Sequence, residues 1–214
     1  MMISMEAGAL HRNCGVLPQL GEAGRLFAKP DRMTGGKRME RSKQIHPIAP
    51  LYDGASRVLL LGSFPSVKSR EAAFFYAHPQ NRFWPVLAAL FDEPEAQSVE
   101  QKKSLALRHG VAIWDVLAQC EITGSSDASI TGAVPNDLSP ILRAADIRAI
   151  FCNGGTAYAC YHKYCRARTG REAILLPSPS PANARWSKER LVQEWGRQLL
   201  PFFDGKIDKN CGKA

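Results

Sequence analysis

Apolar residues along the chain fall into short continuous runs, and stretches with helical periodicity lie between and after these runs. The apolar runs span 56–62, 110–116, 147–153 and 172–177, and the helical patterns span 83–91, 98–108, 136–145, 155–168 and 187–200. Continuous apolar runs of this length are typical of strands that are buried on both faces of a parallel sheet. Because these strands alternate with helices, we predict a three-layer α/β/α sandwich with a central, mostly parallel four-stranded sheet.

The two ends of the chain differ from the segment between them. Residues 1–45 contain Gly, Met and basic residues without sustained periodicity, and residues 204–214 are polar. This composition predicts a disordered or misassigned N-terminal extension, with Met33 or Met39 as alternative starts, and a flexible tail. Residues 46–203 are enough for one compact core, so we predict a single domain there.

Charge and cysteine content limit the kinds of protein that this chain can be. Lys and Arg number 28 against 20 acidic residues in 214, so the formal net charge is +8, which favours polyanionic partners without identifying one. The six cysteines contain no CxxC pair, which argues against a metal centre and favours reduced thiols. No apolar run approaches the roughly 20 residues that span a bilayer, and no signal peptide begins the chain. We therefore predict a cytoplasmic protein with no metal, cofactor or membrane association.

Polar loops follow the four predicted strands. They span 62–66, 114–127, 152–155 and 177–185 and are rich in Gly, Ser, Pro, Asn and Asp. In open parallel sheets, ligands bind beyond the carboxyl ends of the strands. Four such loops on one edge of the sheet therefore predict one continuous site.

Three blocks of sequence resemble the uracil-DNA glycosylase superfamily, and in particular its hypoxanthine-DNA (deoxyinosine) glycosylase branch. They are GSFPS at 62–66, YAHPQNRFW at 76–84 and SPSPANA at 178–184, within a resemblance that covers roughly residues 55–203. The HPQNRFW block is also similar to one in the mismatch-specific uracil glycosylases. The resemblance implies a uracil-DNA-glycosylase-like fold and a monofunctional DNA repair enzyme that releases hypoxanthine and leaves an abasic site. No Lys lies within the matched blocks, so a Schiff-base lyase route has no support.

Phe64 is the position at which the chain departs from the uracil-cleaving members, which carry Asn or Asp there. The resemblance to the hypoxanthine branch implies that the polar group comes instead from Asn81, and that Asn153, after the third strand, is a second functional Asn. A neutral amide can hold a water in line with the sugar or hydrogen-bond the leaving base, and the two roles are interchangeable at this point. Asp115 is the rival catalytic residue, because its carboxyl group can activate water.

The other predicted site residues divide into two groups. The base pocket is predicted to contain Gly62, Ser63, Phe64, Pro65, Phe75 and Tyr76. The contacts with DNA are predicted to come from Ser66, His78, Arg82, Ser178, Ser180, Asn183 and Arg185. The predicted partner is DNA that contains deaminated bases, and no obligate protein partner is inferred.

Simpler interpretations of the same residues stay open. Asn81 also suits a helix cap, Asn153 a turn before two glycines, and the Pro-rich segment 177–181 a stiff linker. At the level of function, the alternatives are a uracil or mismatch-specific glycosylase and a non-catalytic nucleic-acid-binding module.

Overall fold

The computed structural model describes residues 42–123 and 129–203. The strands in these residues are β1 Ser42–Ile45, β2 Val58–Gly62, β3 Val111–Asp115, β4 Leu117–Ile122, β5 Thr131–Pro135, β6 Ala149–Asn153 and β7 Ala173–Leu176. The helices are α1 Val67–Glu71, α2 Phe83–Leu90, α3 Val99–Arg108, α4 Ser139–Ala144, α5 Gly155–Tyr164, α6 Arg166–Thr169 and α7 Lys188–Leu199, with a 3-10 turn at Leu200–Phe202. Most of the predicted extension, residues 1–41, and the predicted tail, residues 204–214, lie outside the described residues.

The central sheet confirms the prediction of four parallel strands. Its order is β3-β2-β6-β7, and each neighbouring pair is parallel. Leu60 on β2 is level with Ile113 on β3 and with Phe151 on β6. All five residues of β2 and of β6 are buried, because helices or loops cover both faces of the sheet.

Two hydrophobic layers form on opposite faces of this sheet, since successive side chains of a strand point to opposite sides. Val58 and Leu60 belong to one layer, which packs against α2, α3 and α7 through Phe83, Leu87, Leu105, Leu191 and Trp195. Leu59 and Leu61 belong to the other layer, which packs against α4 and α5 through Ile141, Ala157 and Tyr161. The three-layer α/β/α architecture is therefore confirmed.

A second, antiparallel sheet was not predicted. It has the strand order β1-β4-β5. Strand β4 lies within the segment 114–127 that the sequence assigned to a loop, and β1 lies just before the predicted domain boundary at residue 46. Only three of the six residues of β4 are buried in the core, namely Leu117, Cys120 and Ile122. A half-buried strand of this kind lacks the continuous apolar run that revealed the central strands.

Several helices also differ from their predicted bounds. The pattern over 155–168 divides at Cys165 into α5 and α6, the pattern over 136–145 shortens to α4, and the five-residue α1 was not predicted. Within the described ranges, no helix combines the length and the apolar character that crossing a membrane requires.

Candidate active site

A cavity of about 330 Å³ opens at the carboxyl edge of the central sheet. All four predicted loops contribute to its wall, together with α1, the turn before α2 and Ile122 of β4. Thirteen of the sixteen predicted site residues line the cavity: Gly62, Ser63, Phe64, Pro65, Ser66, Phe75, Tyr76, His78, Asn81, Asp115, Asn153, Ser178 and Ser180. The other three, Arg82, Asn183 and Arg185, lie outside the lining.

Asn81 both lines the cavity and stabilises the start of α2. Its backbone N–H donates to the carbonyl of His78 at 2.8 Å, which closes the turn. Its side-chain Oδ1 accepts from the backbone N–H of Phe83 at 2.9 Å, one of the amides that a helix leaves unpaired at its start. Asn81 Nδ2 has no hydrogen bond to any described residue, so the side chain can present N–H donors to a ligand.

Asn153, the last residue of β6, has the opposite arrangement. Its side-chain Nδ2 donates to the hydroxyl oxygen of Tyr76 at 2.7 Å. Its Oδ1 is buried and has no hydrogen-bond partner among the described residues, although the residue is only 9% exposed. Buried polar atoms are rarely left unpaired, because the desolvation of such an atom is uncompensated. Asn153 therefore lines the cavity with a buried acceptor that has no partner among the described residues.

Asp115 ends β3 at the cavity wall and pairs with a histidine that the sequence interpretation missed. Asp115 Oδ2 lies 2.8 Å from His46 Nε2, and both side chains are almost fully buried. The backbone N–H of Ile48 donates to His46 Nδ1 at 3.2 Å. Because Nδ1 is the acceptor, the ring proton is on Nε2 and is donated to Asp115. His46 lies far from the recognisable blocks, so no local signal marked it.

Gly62 is required beside this pair. A Cβ atom at residue 62 would lie 2.1 Å from Asp115 Oδ1 and 3.3 Å from the hydroxyl oxygen of Tyr76. Any side chain there would therefore displace the carboxyl group. Gly154 has a similar role at the end of β6, since its φ is +100° and a Cβ would lie 2.9 Å from Ser178 Cβ.

Aromatic side chains form much of the remaining wall. Phe64 and Phe75 are 7% and 3% exposed. The Phe64 ring meets the His46 ring edge-on, with centroids 5.9 Å apart, and the Arg70 guanidinium lies 5.7 Å from the Phe64 centroid. These contacts fix the Phe64 ring just after the end of β2. Cys152 lies beside Asn153, but burial raises the pKa of its thiol, so it provides no thiolate there.

Arg82 connects the turn before α2 to the Pro-rich loop. Its Nε donates to the carbonyl of Pro179, and its two terminal nitrogens donate to the carbonyls of Ser180, Asn183 and Trp186. Four of its five N–H donors are thus used within the protein. A direct contact between Arg82 and DNA stays a prediction, and the structure shows that the guanidinium binds backbone that the sequence could not place beside it.

The other predicted DNA-contacting residues have varied surroundings. Ser66 Oγ accepts from the backbone N–H of Ser69 and caps α1. Asn183 Nδ2 donates to the carbonyl of Ser178 at 3.0 Å, so this side chain braces the loop, whereas Arg185 is exposed. Lys68, which the sequence interpretation missed, lines the cavity from α1.

No group of three or more His, Cys, Asp or Glu within 42–123 and 129–203 is arranged to hold a metal ion.

The chain belongs to the Uracil DNA glycosylase superfamily, whose sequence profile matches residues 49–199. It is 32% identical over 146 residues to a protein named hypoxanthine DNA glycosylase from Methanosarcina acetivorans, a match that covers 68% of this chain and 91% of the relative. A protein of the same name from Methanosarcina barkeri is 32% identical over 145 residues, with 66% and 89% covered. A solution NMR structure from M. acetivorans, described as that of a candidate uracil DNA glycosylase, superposes with a TM-score of 0.63 at 30% identity, covering 72% of this chain and 96% of that one.

Proposed function

We propose that this protein is a monofunctional DNA glycosylase that hydrolyses the N-glycosidic bond of deoxyinosine in DNA and leaves an abasic site. Membership of the superfamily and the names of the two Methanosarcina relatives support this reaction. The observation that carries the proposal is the pair of carboxamides on one cavity wall, Asn81 with donors available and Asn153 with an acceptor available. The Watson–Crick edge of hypoxanthine has a carbonyl acceptor beside a ring N–H donor, and it needs one partner of each kind.

Asn81 is proposed to stabilise the departing base. Cleavage produces a cation-like sugar and a base anion, so donors aimed at the base lower the barrier as charge develops. Its Oδ1 is already bound to the start of α2, which favours the Nδ2 donors for this contact. The rigid turn fixes the amide before the substrate arrives, so little ordering is needed at the moment of reaction.

Asn153 is proposed to recognise the ring N–H of the flipped base. Enzymes that act on a base extrude it from the duplex and read its edge by hydrogen bonds in a pocket. A ring N–H donated to the buried Oδ1 would satisfy an acceptor that has no partner among the described residues. Phe64, Phe75 and Tyr76, which also line the cavity, are the proposed stacking walls.

Asp115 is proposed to hold the attacking water and to stabilise the positive charge on the sugar. Its Oδ2 is occupied by His46, which fixes the carboxyl group and leaves Oδ1 on the side of Gly62. A carboxylate oxygen can accept a proton from water, which the neutral amide of Asn81 cannot do. Asp115 therefore provides the polar group for activating water, which the Phe64 side chain cannot provide.

DNA that contains deaminated bases is the proposed partner. The net charge of +8 favours phosphate binding, and Lys68 at the cavity keeps its ammonium charged, since a hydrogen bond to Glu71 raises its pKa. Ser178 and Ser180 present hydroxyls from a loop that Arg82 and Asn183 brace from inside. A braced loop of this kind can hold a bent phosphate backbone with little ordering cost.

Base release from lesion-containing duplexes tests the proposal. The protein is incubated with duplexes of one sequence that carry deoxyinosine, deoxyuridine or deoxyadenosine, and abasic sites are then cleaved with alkali. We expect cleavage at deoxyinosine that depends on the alkali step. Release of uracil alone would assign the uracil alternative, and salt-sensitive binding without any base release would assign a non-catalytic binding module.

A further inference from the structure

The geometry points to Tyr76 as the residue that sets the orientation of the Asn153 amide. In this orientation the cavity accepts bases that have a ring N–H beside a carbonyl group. It disfavours bases that have a lone pair in place of that N–H. The inference rests on the proposed function and extends it, since it assigns the choice of base to a positioning residue. The contribution of Tyr76 lies in its hydroxyl group, separate from the ring that lines the pocket.

The ring of Tyr76 is held independently of its hydroxyl. Tyr76 has a φ of +52°, an uncommon conformation for a residue with a side chain, which turns the chain just before the HPQN segment. Its ring stacks on Phe83, with centroids 3.8 Å apart and planes within 8° of parallel. Phe83 is fully buried at the start of α2, so it provides a fixed surface for the stack. Removal of the hydroxyl alone should therefore leave the ring in place.

The hydroxyl group contacts the amino end of the Asn153 amide and leaves the carbonyl end without a partner among the described residues. A phenol oxygen can accept or donate, and here it accepts from Asn153 Nδ2 at 2.7 Å. With Nδ2 engaged, Oδ1 is the atom left buried without a partner among the described residues. If the amide rotated by half a turn, an N–H group would replace this acceptor.

This orientation selects a chemical class of base. Hypoxanthine donates a ring N–H at N1, so it can pair with Oδ1, whereas adenine and unsubstituted purine carry a lone pair at N1. A lone pair opposite Oδ1 would leave two acceptors facing each other in a buried site, which costs far more than an imperfect hydrogen bond. The Tyr76 hydroxyl thus disfavours adenine and unsubstituted purine through the amide that it holds.

The test compares two bases that differ at N1. Single-turnover release is measured for the wild type and for Tyr76→Phe on duplexes that carry deoxyinosine or deoxynebularine, whose base is unsubstituted purine. We expect the preference for deoxyinosine to fall at least about tenfold in the variant, because the amide is no longer held in one orientation. Tyr158→Phe is the matched control, since Tyr158 lies on α5 beside His162 and outside the cavity lining.

Equilibrium binding separates this inference from the proposed reaction. Calorimetric affinities for free hypoxanthine and free purine give the same preference without bond cleavage, so they decide the role of Tyr76 even if the wild type releases no base. A preference that stays within about twofold of wild type in folded Tyr76→Phe, or an equal loss for both bases, would overturn the inference.

A second variant distinguishes the orienting role of the hydroxyl from a general structural effect of its removal. Asn153→Asp places oxygen atoms at both ends of the side chain, so its acceptor does not depend on orientation. We expect this variant to keep a preference for the base with the N–H, and we expect Tyr76→Phe to change that preference little when it is added to Asn153→Asp. An equal fall in both backgrounds would overturn the proposed orienting role.

Discussion

The turn before α2 and the end of β6 each bring one carboxamide to the same cavity, and their hydrogen bonds are opposite. Asn81 uses its oxygen on the backbone of Phe83, whereas Asn153 uses its nitrogen on the hydroxyl of Tyr76. Within 42–123 and 129–203, the other end of each amide has no hydrogen-bond partner. Asn81 combines a contribution to folding with its proposed work on the ligand, while Asn153 has a buried oxygen that no described residue pairs, at a cost in stability.

The difference shows how one residue type can take two chemical roles. Identical side chains become a donor and an acceptor because the local backbone and one tyrosine engage opposite ends of the amide. We therefore expect substitutions at the two positions to change activity and stability in different proportions. The following substitutions test that expectation, beginning with the largest effect.

Asn81→Asp should separate the two functions of the turn. Aspartate keeps an acceptor for the Phe83 N–H, so the free energy of unfolding should change by less than about 0.5 kcal/mol. It lacks the N–H donors, so single-turnover release of hypoxanthine should fall by about 10²–10³-fold. Urea unfolding and base-release kinetics measure the two quantities.

Asn81→Ala is the control for that comparison. It removes the acceptor for the Phe83 N–H as well as the donors, so a similar loss of activity should come with about 1 kcal/mol lower stability. Wild-type activity in Asn81→Asp would show that the amide serves the helix alone and would leave Asp115 as the catalytic residue.

Gly62→Ala should disturb the β3 and β6 side of the cavity and leave the Asn81 turn intact. The new Cβ would meet Asp115 Oδ1 and approach the Tyr76 hydroxyl, which moves the groups that they position. A displacement of this size should lower the single-turnover rate by about 10²-fold. Gly155→Ala is the matched control, because a Cβ at residue 155 would meet no atom within 4 Å. Equal activity in the two variants would contradict a role for Asp115.

Asn153→Ala should lower activity with little loss of stability, whereas Asn81→Ala should lower both. Loss of the ring N–H contact should lower hypoxanthine release by about 10–100-fold. Stability should change by less than about 1 kcal/mol, since removal of an unpaired buried oxygen offsets the lost bond to Tyr76. Thermal unfolding in parallel with kinetics measures both, and a large loss of stability with normal activity would refute the assigned roles.

Arg82→Lys should affect the loop more than the chemistry. A lysine cannot reproduce a planar fork that reaches four carbonyls, so stability should fall by about 2 kcal/mol and the Tm by about 4–8 °C. Activity should fall by about tenfold or less, because the cavity walls from the strands remain. Arg185→Lys, at an exposed position in the same loop, should leave the Tm unchanged. If DNA affinity alone fell in Arg82→Lys, with the Tm unaltered, a direct phosphate contact would be the better interpretation.

The sequence revealed most of the fold and much of the cavity for identifiable reasons. Continuous apolar runs predict strands that are buried on both faces, and the carboxyl ends of parallel strands must share one edge. These two facts alone bring the loops that contain Gly62, Asp115, Asn153 and Ser178 together. The half-buried β4 and the short β1 carry no comparable signal, so the second sheet was missed, and His46 was missed with it.

What the chain determined by itself is the layered α/β core, the site at one edge of its sheet and the set of side chains that the matched blocks supply. What only the tertiary structure decided is how those side chains are paired: Asp115 with His46, Asn153 with Tyr76, and Arg82 with the carbonyls of the Pro-rich loop. Periodicity depends on neighbours three or four residues apart, whereas these bonds join residues 69, 77 and 97 positions apart. Which atoms at the cavity act as donors and which as acceptors is therefore decided only when the chain is folded.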